Sequence, residues 1–205
     1  MSNTKCLNLF IIGPSGCGKS TQAKLLAQKY SLTHISTGQL FRDEIIAQTP
    51  LGIQAREYID RGVWVPNPLV IQVLTQKLQS IGSANFIVDG TPRKVGQCPA
   101  LEEFLHDQGQ ELTLLIHLDV PYDEIAARRA RLGMNFQDTS RTDLDPQDLQ
   151  RRQHEYEKYN QPILDYFRAK DKLLTLDGNR PIQPIFEDIC KKIESLNYLE
   201  SHQVL

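Results

Sequence analysis

The chain has 205 residues, 40% of them hydrophobic, 23% charged and 7% aromatic. That is enough apolar material for one folded domain with a sizeable core, and it excludes a disordered, collagen-like or low-complexity chain. With 23 Lys and Arg against 25 Asp and Glu the formal charge is −2, so no broad positive field favours DNA or RNA, although a local basic site stays open.

In chain order, the first residues, Met1 to Cys6, are too short and too little basic for a signal or transit peptide, and no later stretch approaches the 18 apolar residues of a membrane span. A cytoplasmic protein is expected. Residues 7–12 are a short apolar run ended by a Gly/Pro/Ser cluster, and helix-compatible sequence resumes at residues 19–29. This predicts strand, glycine loop and helix. The same alternation recurs at His34-Ile35, Phe86-Ile87-Val88, Leu112 to Leu118 and Leu173 to Leu176. Each run is continuous rather than alternating and helix-compatible sequence follows it, which predicts a parallel five-stranded α/β sheet covered on both faces.

Two regions interrupt this rhythm. Residues 36–84 carry helical patterns without a convincing strand, with breaks at Pro50-Leu51-Gly52 and from Gly62 to Pro68, and suggest a helical insert. Residues 133–146 are polar and lie between arginine-rich helical sequences, the pattern of a flap over a charged ligand. The four cysteines, Cys6, Cys17, Cys98 and Cys190, include no Cys-x-x-Cys pair, which argues against structural zinc and a disulfide framework and favours reduced thiols.

The most specific motif is Gly13-Pro14-Ser15-Gly16-Cys17-Gly18-Lys19-Ser20, a full match to G-x-x-x-x-G-K-[ST] in its required strand–loop–helix setting. Glycines let the backbone wrap a phosphate, amide groups and the helix start face the anion, the lysine reaches the β and γ oxygens, and the hydroxyl can serve Mg²⁺. By itself this leaves GTPases, motor ATPases, transporters and small-molecule kinases open. The lack of an N-K-x-D-like guanine motif and the short chain weaken the first two.

Together with that loop, Ser36-Thr37-Gly38-Gln39-Leu40-Phe41-Arg42, Gly62-Val63-Trp64-Val65-Pro66, Val88-Asp89-Gly90-Thr91-Pro92-Arg93 with Gln97, and Asp119-Val120-Pro121 resemble the adenylate kinase family of nucleoside monophosphate kinases, in order and spacing over nearly the whole chain. The resemblance implies a P-loop three-layer α/β/α fold with a parallel five-stranded sheet, a nucleoside-monophosphate-binding insert at residues 36–68 and a small metal-free lid at residues 132–145. It implies ATP, AMP and ADP as ligands and Mg²⁺ entering with the nucleotides, while the lack of cysteine and histidine in the lid predicts no structural zinc, the slight acidity and the lack of a long apolar stretch predict no nucleic acid or membrane partner, and two moving subdomains, which leave little surface for a rigid interface, predict a monomer.

By the same resemblance, ATP is held by Gly13, Ser15, Gly16, Cys17, Gly18, Lys19, Ser20 and Thr21 with Arg128 and Arg180. AMP is held by Thr37, Arg42, Trp64, Val65, Gly90, Arg93 and Gln97 with Arg141 and Arg152. Transfer depends on Lys19, Arg93, Arg128, Arg141 and Arg152, and Ser20 with Asp89 serves the metal, Asp89 through water. Arg42 and Arg93 suit forked bonds to the acceptor phosphate, and Gln97 offers a donor and an acceptor to a base edge. The chain departs from the family pattern at Gln39, where aspartate is usual, at Thr91 in place of an aromatic, at Leu132 in place of an arginine, and at Ser20 in place of a glycine. A UMP/CMP kinase of the same fold and a non-catalytic nucleotide-binding protein remain alternatives.

Overall fold

The computed structural model describes residues 6–61, 63–131 and 146–196. The elements follow in the order β1 (Asn8–Ile12), α1 (Lys19–Tyr30), β2 (Thr33–Ser36), α2 (Thr37–Ile46), α3 (Pro50–Asp60), α4 (Asn67–Ser80), β3 (Phe86–Asp89), α5 (Gln97–Asp107), β4 (Leu114–Asp119), α6 (Tyr122–Arg131), α7 (Pro146–Arg168), β5 (Leu173–Asp177) and α8 (Ile182–Ser195). All five expected strands form, and they pair in parallel in the order β2-β3-β1-β4-β5.

The apolar runs split into two cores because successive strand residues point to opposite faces. On one face Leu9, Ile11, Ile116 and Leu118 pack with Ala23 and Leu26 of α1 and Ile185, Ile189 and Ile193 of α8. On the other, Phe10, Ile12, Phe86, Val88 and Leu115 pack with Leu74 and Leu78 of α4, Leu101 and Leu105 of α5, and Ile163, Leu164 and Phe167 of α7. The result is a three-layer α/β/α fold. Each such fully buried aliphatic or aromatic side chain contributes roughly 1.5–3 kcal/mol relative to an exposed one, so both faces stabilise the sheet.

The chain leaves β1 toward β2 on one side and later reaches β4 on the other. A crevice therefore opens at the carboxyl ends of the central strands, where open α/β sheets bind ligands. The register sets Ile11 beside Asp89, Ser36 beside Asp89, and Ile12 beside His117. Residues from four strands thus meet at the mouth of the glycine loop.

Between β2 and β3 the chain is helical, as the sequence predicts, and Phe41, Leu51, Ala55, Val65, Val70 and Val73 form a small core of their own. Ser36 caps α2 and Thr49 caps α3, each accepting a bond from a backbone N–H of the first turn. The two helices approach so closely that a methyl group on Gly52 would stand 2.1 Å from the Glu44 carbonyl oxygen. Gly52→Ala is therefore expected to destabilise the protein by roughly 1–3 kcal/mol through forced separation of α2 and α3. Equilibrium urea unfolding measures it, and a variant as stable as the parent would show that the helices can part freely.

Among the described residues no helix is long and apolar enough to cross a membrane, and no group of three or more His, Cys, Asp or Glu side chains comes together as a metal cluster.

Candidate active site

The glycine loop joins β1 to α1. Gly16 and Gly18 hold φ values of 92° and 97°, a left-handed backbone that side chains with a Cβ rarely adopt. Gly18 caps α1 in that conformation with no side-chain bond, leaving the helix start facing the crevice. Cys17 is buried, its sulfur close against Gly13. Burial pushes its thiol up, against the lowering influence of Lys19. It is a packing residue of the loop. Lys19 lies back across the loop and its Nζ donates to the Pro14 carbonyl at 3.1 Å.

Asp89, at the end of β3, is 4% exposed. Ser20 Oγ donates to its Oδ2 at 2.5 Å, and His34 Nε2 stands 3.9 Å from the same oxygen. Burial would raise this carboxyl, but hydrogen bonding toward His34, the Lys19 charge and the Ser20 hydroxyl outweigh it and hold the group below its ordinary value. Its other oxygen, Oδ1, is buried and has no hydrogen-bond partner among the described residues.

A solvent-open cleft with about 540 Å³ of atom-free space faces the loop. Gly13, Ser15 and Lys19 line one wall, Gly90 and Arg93 a second, Trp64 a third, and Arg152, Tyr156 and Asn160 of α7 close it. Three expected cationic groups thereby share one space. Arg93 is oriented by its own turn, its Nε donating to the Gly90 carbonyl at 2.9 Å, and its guanidinium carbon lies 5.7 Å from the Trp64 ring. Trp64 in turn packs against Tyr159 with ring centroids 5.7 Å apart.

The remaining expected residues are placed around this cleft rather than on its walls. Arg42 is held by Gln39, whose Oε1 accepts from Nε at 3.1 Å and from Nη2 at 2.7 Å. Thr37 shares a 2.8 Å hydroxyl contact with Thr91, so the unusual threonine at residue 91 has a partner. Val65 belongs to the core of the helical insert. Gln97 is 2% exposed; its Oε1 accepts from the Arg93 backbone N–H at 2.8 Å and its Nε2 donates to Asn67 at 3.0 Å. In this state the glutamine braces the Arg93 turn. Thr21 is exposed on the first turn of α1.

Arg128 donates to the Gly178 carbonyl at 2.9 Å and to Asn179 at 2.8 Å, which joins α6 to the turn after β5. Arg180 pairs with Asp188 at 2.8 Å. Arg141 and the expected lid, residues 132–145, lie outside the described residues, as does Gly62. Tyr156, Asn160 and His34 are site residues that motif reading misses. Tyr156 and Asn160 follow Arg152 at helical i, i+4 and i+8 spacing, a signal that names them once Arg152 is placed.

Comparison with known proteins agrees with this geometry. The family model described as adenylate kinase matches residues 11–172. The chain is 35% identical to an adenylate kinase of Clostridium novyi (strain NT), over 92% of this chain and 99% of the relative. It is also 35% identical to one of Bacteroides thetaiotaomicron, over 93% and 100% respectively. A third, from Synechococcus sp. (strain JA-2-3B'a(2-13)), is 37% identical over 91% of this chain and 95% of the relative. A phosphate loop and an arginine turn facing each other across one cleft, on a sheet of this order, thus accompany end-to-end sequence likeness, and the chain belongs to the adenylate kinase family.

Proposed function

We propose that the chain moves the γ-phosphoryl group of ATP to AMP, reversibly, giving two ADP, in the cytoplasm and as a monomer. The observation that carries this reading is the cleft itself: Lys19 on the phosphate-loop side faces Arg93 and Arg152 across a single space. A P-loop ATPase needs only the first wall. A kinase of a phosphorylated acceptor needs both, because two polyanions must be brought together.

In this reading ATP lies along residues 13–21 with its base toward Arg128 and the turn at residues 177–180. AMP enters over the insert at residues 36–68, its α-phosphate on Arg93 and Arg42 and its base near Trp64, Val65 and Gln97, with Thr37 and Gly90 shaping the pocket. Arg42 exchanges its Gln39 partner for the phosphate. Gln97 is already held by Asn67 and Arg93, which supports a fixed rather than adaptable base wall. The lid at residues 132–145 brings Arg141 over the phosphates.

An α-phosphate oxygen of AMP attacks the γ-phosphorus. A new P–O bond forms as the bond to the β,γ-bridging oxygen breaks, and the electron pair leaves with ADP. No protein base is needed, since the attacking oxygen is already anionic near neutral pH. The side chains hold the reactants in line and offset the charge on the equatorial oxygens. Closure excludes water, which would otherwise divert the phosphoryl group to hydrolysis.

The oxygen-only set at Ser20 and Asp89, including a buried carboxylate oxygen with no partner among the described residues, fits a hard divalent cation such as Mg²⁺. Ser20 and Asp89 would hold it, Asp89 through water, and when bound it supplies positive charge to the β and γ oxygens. Asp89→Asn is accordingly expected to raise the Mg²⁺ concentration for half-maximal transfer roughly tenfold to a hundredfold. An unchanged Mg²⁺ titration would remove Asp89 from this role.

The deciding assay measures ADP formation with AMP, UMP, CMP and GMP as acceptors, with inorganic phosphate followed alongside. AMP is expected to be preferred, with little phosphate released. Equal or faster turnover of UMP identifies a UMP/CMP kinase, and phosphate release without an acceptor identifies an ATPase.

A further inference from the structure

Helix α7 carries Arg152 to the cleft, yet its two halves are held differently. The carboxyl-terminal half is anchored by Ile163, Leu164 and Phe167, all in the sheet core. Pro162 lies inside the helix; it has no N–H to give the Lys158 carbonyl, which weakens the helix at that point. Before it, from Gln150 to Gln161, no residue is buried. This arm therefore lacks the apolar anchor of the other half.

Two of its contacts reach the helical insert: Arg151 donates to the Arg61 carbonyl at 2.7 Å, and Tyr159 packs on Trp64. A polar cluster around a buried histidine links the arm to the sheet. His117 on β4 is 3% exposed, and its Nε2 lies 2.6 Å from Tyr156 Oη and 3.5 Å from Asn160 Nδ2, while Nδ1 lies 3.4 Å from Thr175 Oγ1. A neutral imidazole carries one donor and one acceptor nitrogen and a tyrosine hydroxyl can take either role, so Nε2 and Tyr156 Oη share one hydrogen bond in either tautomer. Thr175 Oγ1 serves the other ring nitrogen. Burial lowers the His117 proton affinity, against the raising influence of Asp119, and burial raises that of Tyr156. Both directions fit a neutral imidazole hydrogen-bonded to a neutral phenol.

Tyr156 is one helical turn after Arg152, on the same face, and both line the cleft. We propose that His117 is a positioning residue for phosphoryl transfer, which fixes Tyr156 to the sheet and so sets the reach of Arg152 into the cleft. This rests on the phosphotransferase reading above. His117 acts through Tyr156 on a helical arm that also contacts, at Arg151 and Tyr159, an insert expected to move with AMP. A small error in the placement of a charge-compensating arginine lowers kcat more than it weakens ground-state binding.

The test uses the full chain with His117→Leu, His117→Gln and Tyr156→Phe, each also combined with Arg152→Ala. His117→Leu and Tyr156→Phe are each expected to lower kcat roughly tenfold, with KM for ATP and AMP within about threefold. Together they do no more than either alone. His117→Gln, whose side-chain amide can either accept from or donate to the tyrosine hydroxyl, recovers most of the loss. In the Arg152→Ala background the His117 and Tyr156 changes have almost no further effect. The sole tryptophan, Trp64, adds a readout independent of turnover, since loosening of the arm disturbs its packing on Tyr159 and shifts its emission to the red.

Unchanged kcat and emission in Tyr156→Phe overturn the proposal, as does a loss that multiplies fully with that of Arg152→Ala. Tyr156→Phe removes one hydroxyl and carries the test even where His117→Leu fails to fold. A parent enzyme that makes no ADP from AMP refutes the phosphotransferase reading instead, and the anchoring role is then judged on Trp64 emission in Tyr156→Phe, where a red shift sustains it and no shift overturns it.

Discussion

Arg93→Ala is expected to lower kcat/KM for AMP roughly a thousandfold while changing the dissociation constant of ATP less than about threefold. The asymmetry follows from where the side chain sits. Arg93 lines the wall opposite the glycine loop, and its Nε is already used on the Gly90 carbonyl, which fixes the plane of the guanidinium. Its amino groups can then meet an acceptor phosphate with little further loss of freedom. Lysine at this position keeps the charge and loses the fork, so Arg93→Lys recovers only a small part of the rate. Steady-state kinetics with AMP varied, beside equilibrium ATP binding, separates the two effects. Turnover close to that of the parent removes Arg93 from the acceptor clamp.

The second large effect is expected at Lys19. Lys19→Met keeps most of the aliphatic stem and removes the charge, and kcat should fall by roughly a thousandfold or more, because in the proposed reaction the lysine offsets charge on the transferring phosphoryl group. Its bond to the Pro14 carbonyl contributes only about 1 kcal/mol to stability, so thermal unfolding should shift little. The same bond shows the side chain lying along the loop, within reach of whatever the loop binds. A kcat within about tenfold of the parent would mean that the loop amides and helix start suffice for phosphate, and that the lysine is not a transfer residue.

These two positions contrast with Gln97 and Arg42, where the folded chain adds something motif spacing could not supply. The family resemblance names Gln97 as a base reader, and its amide in fact spans Asn67 and the Arg93 backbone. The same glutamine can therefore shape the base pocket by holding the arginine turn still. Arg42 is kept by the neutral Gln39 rather than by the aspartate usual in the family. A carboxylate there would pair with the guanidinium and compete with the acceptor phosphate, whereas the amide gives up its partner more readily. Thr91, also a departure, finds Thr37 as its hydroxyl partner.

Local chemistry explains what could be read in advance. The central strands β1, β3 and β4 are legible because they are buried on both faces and so read as unbroken apolar runs, while the edge strands β2 and β5, only partly buried, are marked by the turn sequences that follow them. The glycine loop was visible because its backbone path demands glycine at set positions, followed by a cation and a hydroxyl. The insert was visible as helical pattern without strand. Asp89 was visible as an acidic residue ending a buried strand. All of these are properties of contiguous segments, and elementary stereochemistry acts on contiguous segments directly.

His117, Tyr156 and Asn160 are of a different kind. A histidine inside an apolar run and a tyrosine in a long polar helix are unremarkable in sequence, and His117 stands 39 positions before its tyrosine partner. Only the parallel register, which sets His117 beside Ile12 at the base of the glycine loop, and the packing of α7 across that face bring them together. The pairing of Arg128 with the turn at Gly178 and Asn179 arises in the same way.

The 205 residues and near-balanced charge thus determined one α/β domain with a phosphate loop and arginines enough for two small phosphate esters. Which arginines share the cleft, which are held in reserve by Gln39 or Asp188, and what braces the arm carrying Arg152 were decided by tertiary structure. The reason is physical. A phosphate site on a loop is built from neighbours in the chain, but the orientation of a long cationic side chain depends on hydrogen-bond partners contributed by distant strands and helices.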